Sequence, residues 1–137
     1  LAEHRGSCLC GSVSFTVSGK MRDVVWCHCG QCQRWHGHFG GYTASTWPSI
    51  ALRGEGRLTW YKSSDAARRG FCRECGSNLF WEGTNRNYVS IAAGALELPT
   101  GLTTARHIFV EDKGDYYRIG DGAAQSSGTM AGNPVTF

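Results

Sequence analysis

The chain has 137 residues, 41% of them hydrophobic, which suits one small domain rather than two. Its Lys and Arg residues number 14 against 11 Asp and Glu residues, a formal net charge of +3. Because the positive charges form no block, neither nucleic-acid binding nor a polybasic membrane anchor is expected. No stretch reaches the roughly 18 to 20 apolar residues of a membrane span, and residues 1–5 lack a signal-peptide core, so we expect a soluble protein.

The hydrophobic pattern indicates short strands rather than helices. Alternating or apolar runs predict β-strands at residues 12–17, 58–60, 88–91 and 107–110. A helical turn is predicted only at residues 31–35, since no longer window keeps a 3.6-residue period. Turn-forming residues separate these runs at 53–56, 82–85 and 113–115. The predicted fold class is therefore mostly β.

Seven cysteines form three clusters, and this is the most informative feature of the sequence. The clusters are Cys8 with Cys10, Cys27 with Cys29 and Cys32, and Cys72 with Cys75. A disulfide framework is disfavoured, because the number is odd and thiols two or three residues apart have poor geometry for pairing with each other. Zinc–sulfur bonds place ligand sulfurs just under about 4 Å apart, a distance that two thiolates in a tight turn can span. Each cluster therefore predicts part of a zinc site.

Glycines adjoin the predicted ligands. Gly11, Gly30 and Gly76 each follow a cysteine directly. Because glycine tolerates positive φ, these residues are predicted to let the chain turn around a metal ion.

The number of cysteines predicts two unequal sites. Two sites closed by thiolates alone would need eight cysteines, and the chain has seven. The natural division assigns a closed structural site to Cys8, Cys10, Cys72 and Cys75. A second zinc on Cys27, Cys29 and Cys32 then keeps its fourth position for water or substrate, as catalytic zinc sites do. Two alternatives stay open: closure of the second site as Cys3His by His36, His38 or His107, or three thiols that bind metal weakly or not at all.

Three motifs together resemble a known family. They are Gly6-Ser7-Cys8-Leu9-Cys10-Gly11, Cys27-His28-Cys29-Gly30-Gln31-Cys32 and Phe71-Cys72-Arg73-Glu74-Cys75-Gly76. This pattern resembles the glutathione-dependent formaldehyde-activating enzyme (GFA) family, which also includes centromere protein V. The similarity runs from about residue 4 to residue 121 and includes all the cysteines. Glu97 departs from it, since Asp is more usual after Leu96.

The resemblance implies a fold, a ligand set and an activity. The fold would be a zinc-bearing β-tent of twisted antiparallel sheets, similar in outline to methionine sulfoxide reductase B. A structural zinc on Cys8, Cys10, Cys72 and Cys75 and a catalytic zinc on Cys27, Cys29 and Cys32 are implied. The implied activity joins glutathione and formaldehyde into S-(hydroxymethyl)glutathione, a carbon-sulfur lyase-type reaction. Residues 1–122 would form the zinc domain, and 123–137 a tail without a core pattern, consistent with partial disorder.

The proposed open site favours thiol chemistry. Three thiolates around Zn²⁺ leave a net charge of about −1, which favours activation of an incoming thiol over activation of water. The expected partners are a small thiol such as glutathione and a small aldehyde. Candidate donors for carboxylates of the thiol are Arg34, Lys62, Arg68 and Arg69. His28 is a candidate hydrogen-bond donor or general acid beside the zinc, against the alternative of an exposed loop histidine.

Two other functions compete with this one. A non-enzymatic zinc-stabilised binding module would have both sites closed. A methionine sulfoxide reductase fits less well, because it needs two Cys-x-x-Cys pairs and a separate redox cysteine. Metal-type cysteine spacing fits a reducing compartment, so a cytoplasmic location is expected.

Overall fold

The computed structural model describes residues 2–129, and these contain eleven strands and one α-helix. The strands are β1 Glu3–Ser7, β2 Ser14–Ser18, β3 Val24–Cys27, β4 Gly40–Ser45, β5 Ile50–Arg53, β6 Leu58–Ser64, β7 Ala67–Cys72, β8 Asn78–Gly83, β9 Val89–Ala92, β10 Thr104–Ile108 and β11 Ala124–Gln125. Helix α1 spans Gly30–His36. Single 3-10 turns lie at Trp47–Ser49, Glu55–Arg57, Ala93–Ala95 and Val110–Asp112. None of the helices in this part of the chain is long and apolar enough to cross a membrane.

The strands form two sheets. The small sheet is antiparallel, in the order β1-β2-β5. The large sheet has eight strands in the order β11-β10-β3-β4-β9-β8-β7-β6. Its pairs are antiparallel except at one edge, where β10 runs parallel to β3 and to β11. The prediction of a mostly β fold is confirmed. The parallel pairs were not predicted, because they depend on residues 93–103, which carry the chain from β9 past β4 and β3 to the outer side of β3.

The hydrophobic core lies between the small sheet and the β8–β9 part of the large sheet. In β2, Phe15 and Val17 point inward while their neighbours stay more accessible, as the alternating pattern predicts. The Phe15 ring lies 5.3 Å from that of Phe80 in β8, which joins the two sheets. The buried cluster comprises Cys8, Val13, Phe15, Val17, Met21, Cys72, Leu79, Phe80, Val89, Ile91 and Leu96.

The predicted elements are found with shifted ends. The turn at 31–35 is α1, and the runs at 12–17, 58–60, 88–91 and 107–110 correspond to β2, β6, β9 and β10. Strand β10 ends at Ile108, two residues early, because Phe109 adopts a positive φ of 54° and begins the turn Val110–Asp112. Of the three turn segments, 82–85 joins antiparallel neighbours, whereas 53–56 joins different sheets and 113–115 lies between parallel strands.

The start of the predicted tail is part of the large sheet. Ala124 and Gln125 form β11 beside β10, and the N–H of Ser126 donates to the carbonyl of His107 at 2.9 Å. Residues 130–137 of that predicted tail lie outside the described residues. The division of the chain at residue 122 stays a prediction.

Candidate metal centres and active site

The first candidate metal centre is a cluster of four cysteines from distant parts of the chain, Cys8, Cys10, Cys72 and Cys75. Their sulfur atoms all lie within 4.8 Å of one another. The Cys10 sulfur is 3.7 Å from that of Cys8 and 3.8 Å from that of Cys72. Thiolates on a tetrahedral zinc lie just under about 4 Å apart, so the spacing fits this ion. Cys8 and Cys72 are buried and Cys10 is exposed, which places the cluster at the margin of the core.

Tight turns hold these sulfurs together. The N–H of Gly76 donates to the carbonyl of Cys72 at 2.7 Å, and that of Gly11 to the carbonyl of Cys8 at 3.2 Å. Both glycines have positive φ, 78° and 79°, which side chains rarely adopt. The same prediction for Gly30 is wrong: Gly30 is the first residue of α1 and is not among the residues with positive φ.

The second candidate metal centre consists of Cys27, Cys29 and Cys32, whose sulfurs also lie within 4.8 Å of one another. Cys27 ends β3, and Cys29 caps α1, its sulfur accepting the backbone N–H of Cys32 at 3.3 Å. Side-chain hydrogen bonds, first from Cys27 and then from Cys32, lower the pKa of the Cys29 thiol. Among residues 2–129, no histidine or carboxylate ligand atom lies within 4.8 Å of all three sulfurs.

The histidines considered for closing this site have other partners. His36 Nε2 lies 2.6 Å from the hydroxyl of Tyr42. His38 Nδ1 lies 3.2 Å from the hydroxyl of Tyr116. His107 lies between His28 and Asp121, as described next. The Cys3His alternative therefore finds no histidine ligand in the described part of the chain.

His28 is fully buried, so the alternative of an exposed loop histidine is wrong. Its Nδ1 lies 2.5 Å from the hydroxyl of Tyr117, and its Nε2 lies 2.8 Å from Nδ1 of His107. Nε2 of His107 lies 2.8 Å from a carboxylate oxygen of Asp121. Burial, and next the neighbouring His107, lower the pKa of His28 to about 4, so His28 is neutral at neutral pH.

One assignment of protons satisfies this chain. With both imidazoles neutral, the Asp121 carboxylate, which only accepts, requires His107 to donate through Nε2–H and to accept at Nδ1. His28 then donates through Nε2–H and accepts at Nδ1 from the hydroxyl of Tyr117. His28 is thus held by hydrogen bonds at both ring nitrogens, and its two sequence neighbours, Cys27 and Cys29, belong to the three-cysteine cluster.

A cavity of about 710 Å³ opens onto the second centre. This volume is within the range of small-molecule sites. The three clustered cysteines lie in its wall, and the remaining wall combines apolar residues with hydrogen-bond donors. The donors include Arg22, Gln31, Asn85, Arg86 and Asn87.

The cations of this cavity are not those predicted from the sequence. Among residues 2–129, the lining includes none of the four predicted cations, Arg34, Lys62, Arg68 and Arg69. Arg68 pairs with Glu82 at 2.7 Å and Lys62 with Asp65 at 3.7 Å, while Arg69 is buried beside Cys32. Arg22 and Arg86 line the cavity instead. Neither arginine adjoins a cysteine motif. The one weak sequence feature that could have indicated a role for Arg22 is its position five residues before Cys27.

Fold and site together define a small, mostly β protein with two thiol clusters, each of which could bind a metal such as zinc. Residues 3–112 match the model of the glutathione-dependent formaldehyde-activating enzyme family. The chain belongs to this family, which confirms the resemblance predicted from the cysteine motifs.

Two known proteins show the extent of the similarity. An uncharacterized lyase of Schizosaccharomyces pombe is 28% identical over 119 residues, 85% of each chain. A Rhodobacter sphaeroides protein of known crystal structure has a TM-score of 0.57 at 21% identity, covering 89% of this chain and 98% of that one. The second comparison establishes similarity of fold.

Proposed function

We propose that this protein is a zinc-dependent carbon-sulfur lyase-type enzyme that adds a thiol, glutathione or a similar compound, to formaldehyde or another small aldehyde. The observation that carries this proposal is the cavity opening onto the sulfurs of Cys27, Cys29 and Cys32. Membership of the family and the name of the S. pombe relative support it.

The two clusters have different roles in this proposal. Cys8, Cys10, Cys72 and Cys75 hold a structural zinc, and Cys27, Cys29 and Cys32 hold the catalytic one. When bound there, zinc would lower the pKa of an incoming thiol and so favour its thiolate form. The thiol then adds to the aldehyde: a carbon–sulfur bond forms, the C=O π electrons move to oxygen, and that oxygen takes up the proton that the thiol loses.

The cavity residues orient the thiol substrate. Arg22 and Arg86 form no ion pair with any carboxylate among residues 2–129. Guanidinium groups bind carboxylates through paired hydrogen bonds, and glutathione carries two carboxylates. These arginines would therefore anchor the substrate while its sulfur reaches the cysteines. Such chemistry needs a reducing compartment, and we expect the protein in the cytoplasm.

The test is the rate of adduct formation from glutathione and formaldehyde, followed by exchange NMR on zinc-loaded protein. We expect acceleration over the spontaneous reaction and its loss in Cys29→Ser. Arg22→Met should raise the KM for glutathione about tenfold, the effect of losing a charged hydrogen bond, with little change for uncharged 2-mercaptoethanol. Arg34→Met, on the exposed face of α1, is the matched control. No acceleration by the wild type with either thiol would overturn the proposal and favour a binding module.

A further inference from the structure

Arg69 is a buried cation in contact with the three-cysteine cluster. It lies in β7 between Tyr61 of β6 and Trp81 of β8, with only 2% of its surface exposed. A charged side chain is almost never buried to this degree unless a partner compensates the charge.

The guanidinium is held by three polar groups. Nε and Nη2 donate to Oε1 of Gln31 at 3.1 and 2.8 Å, and Nη1 donates to the hydroxyl of Tyr42 at 3.1 Å. Nη2 also donates to the sulfur of Cys32 at 3.6 Å. The cation therefore lies behind the cluster: its partners Gln31, Cys32 and Tyr42 line the cavity, whereas Arg69 itself does not.

The oxygen partners of Arg69 carry no negative charge. The Gln31 amide is neutral, and burial raises the pKa of the Tyr42 phenol further above its ordinary value. His36, which shares the Tyr42 hydroxyl, is neutral because burial lowers its pKa to about 4. No ion pair within residues 2–129 involves Arg69. Cys32 is thus the one contact of Arg69 in this part of the chain able to carry the compensating charge.

We propose that Arg69 is the counter-ion of the three-cysteine centre, a positioning residue that stabilises metal and thiolate there through its permanent charge. This inference rests on the proposed function only in taking the cluster as a metal site. Three thiolates and a divalent ion sum to −1, which Arg69 brings to zero. A fourth thiolate from substrate would take the centre to −2 without Arg69 and to −1 with it.

The test compares zinc affinities at the two centres in one protein, by competition with a chromophoric chelator. Arg69→Gln and Arg69→Met remove the charge, Gln retaining a polar group for the buried neighbours. Arg69→Lys keeps the charge but not the forked hydrogen bonds. Arg68→Met is the control from the next position, where the arginine is paired with Glu82 away from the cavity. Cys29→Ser identifies which zinc belongs to the three-cysteine centre.

We expect either neutral variant to weaken zinc at the three-cysteine centre about 10- to 100-fold, as loss of partners around metal ligands typically does. The four-cysteine centre serves as an internal measure of folding and should keep its affinity. Arg69→Lys should retain most of the wild-type affinity, and Arg68→Met all of it. Unchanged affinity in a folded neutral variant, or an equal loss in Arg69→Lys, overturns the proposal.

A second readout separates this inference from the proposed function. With cobalt in the three-cysteine centre, binding of uncharged 2-mercaptoethanol is followed through the sulfur-to-cobalt absorption. The neutral variants should bind the thiol more weakly than Arg69→Lys does, and equal binding would contradict the counter-ion role. If the variants show this order of thiol binding but the wild type fails to accelerate adduct formation, the proposed reaction is wrong and the role of Arg69 stands.

Discussion

At the scale of single residues, Arg68 and Arg69 show how neighbours in sequence acquire opposite environments. Successive side chains of a strand point to opposite faces, so one arginine of β7 reaches the outside and the other the interior. Arg68 lies 3.9 Å over the ring of Trp60 and pairs with Glu82, whereas Arg69 is buried behind Cys32. Charge and closeness to the cysteine motifs in sequence made both arginines candidates for carboxylate binding, because neither property indicates the face to which a strand residue points.

His36 gives a pH-dependent prediction at the same scale. Burial, and next the charge of Arg69, lower its pKa from 6.5 to about 4. As the pH falls through this window, the unfolded chain takes up a proton on His36 before the folded chain does, so the free energy of unfolding decreases. Because His36 is only partly buried, solvent screening reduces the full linkage effect, and we expect a loss of about 1 kcal/mol between pH 7 and pH 4.5.

The matched variant for this prediction is His36→Gln, which keeps an acceptor for the Tyr42 hydroxyl but does not titrate. Urea unfolding at several pH values gives the free energy of unfolding of both proteins. In the difference between the two, the contributions of cysteines and other groups that titrate in both proteins cancel. Any advantage of the wild type over His36→Gln in the free energy of unfolding should shrink or reverse toward pH 4.5. Parallel stability profiles would show that the pKa of His36 is not lowered by folding.

At the scale of elements, helix α1 is short but held at both ends and along its side. Cys29 caps its start, and the N–H of Gly37, with φ of 80°, donates to the carbonyl of Gln33 at 2.8 Å. The Gln33 side-chain amide donates to the carbonyls of His28 and Asp112 at 2.9 and 2.7 Å. A seven-residue helix has little stability alone, so these contacts fix the loop that carries the second centre.

Replacing Gln33 with Ala should loosen this element selectively. Two carbonyls lose their donor, and we expect a loss of about 1 to 2 kcal/mol in the free energy of unfolding. Hydrogen exchange should accelerate at amides of residues 28–36 and stay unchanged in β6–β8. Arg34→Ala, on the exposed side of the same helix, provides the comparison. If both variants exchange alike, Gln33 does not anchor the helix.

At the scale of the whole molecule, the four-cysteine cluster links the two sheets. Cys8 and Cys10 follow β1 of the small sheet, while Cys72 and Cys75 lie at the turn between β7 and β8 of the large one. Cys8 and Cys72 also belong to the buried core. A metal ion there would close a chain segment of more than 60 residues, whereas Cys27, Cys29 and Cys32 lie within one short segment.

The two centres should therefore differ in their effect on stability. Cys75→Ser should lower Tm by about 10 °C or more and broaden the transition, since loss of a structural metal removes folding free energy. Cys29→Ser should lower Tm far less. Calorimetry with zinc content measured on the same samples checks both, and a chelator should lower the wild-type Tm toward that of Cys75→Ser. Equal losses in the two variants would contradict the structural role of the first cluster.

Local spacing was enough to group the seven thiols, to place α1 and several strands, and to recognise the family, because ligand spacing and hydrophobic period are properties of short segments. Tertiary structure alone brought Arg22 and Arg86 to the cavity, buried His28 against His107, and turned Arg69 inward. Those residues lie in different elements, and their neighbours depend on strand order and on which face of each strand is covered. The parallel placement of β10 has the same origin, since it depends on the path of a long connection rather than on the residues of the strand.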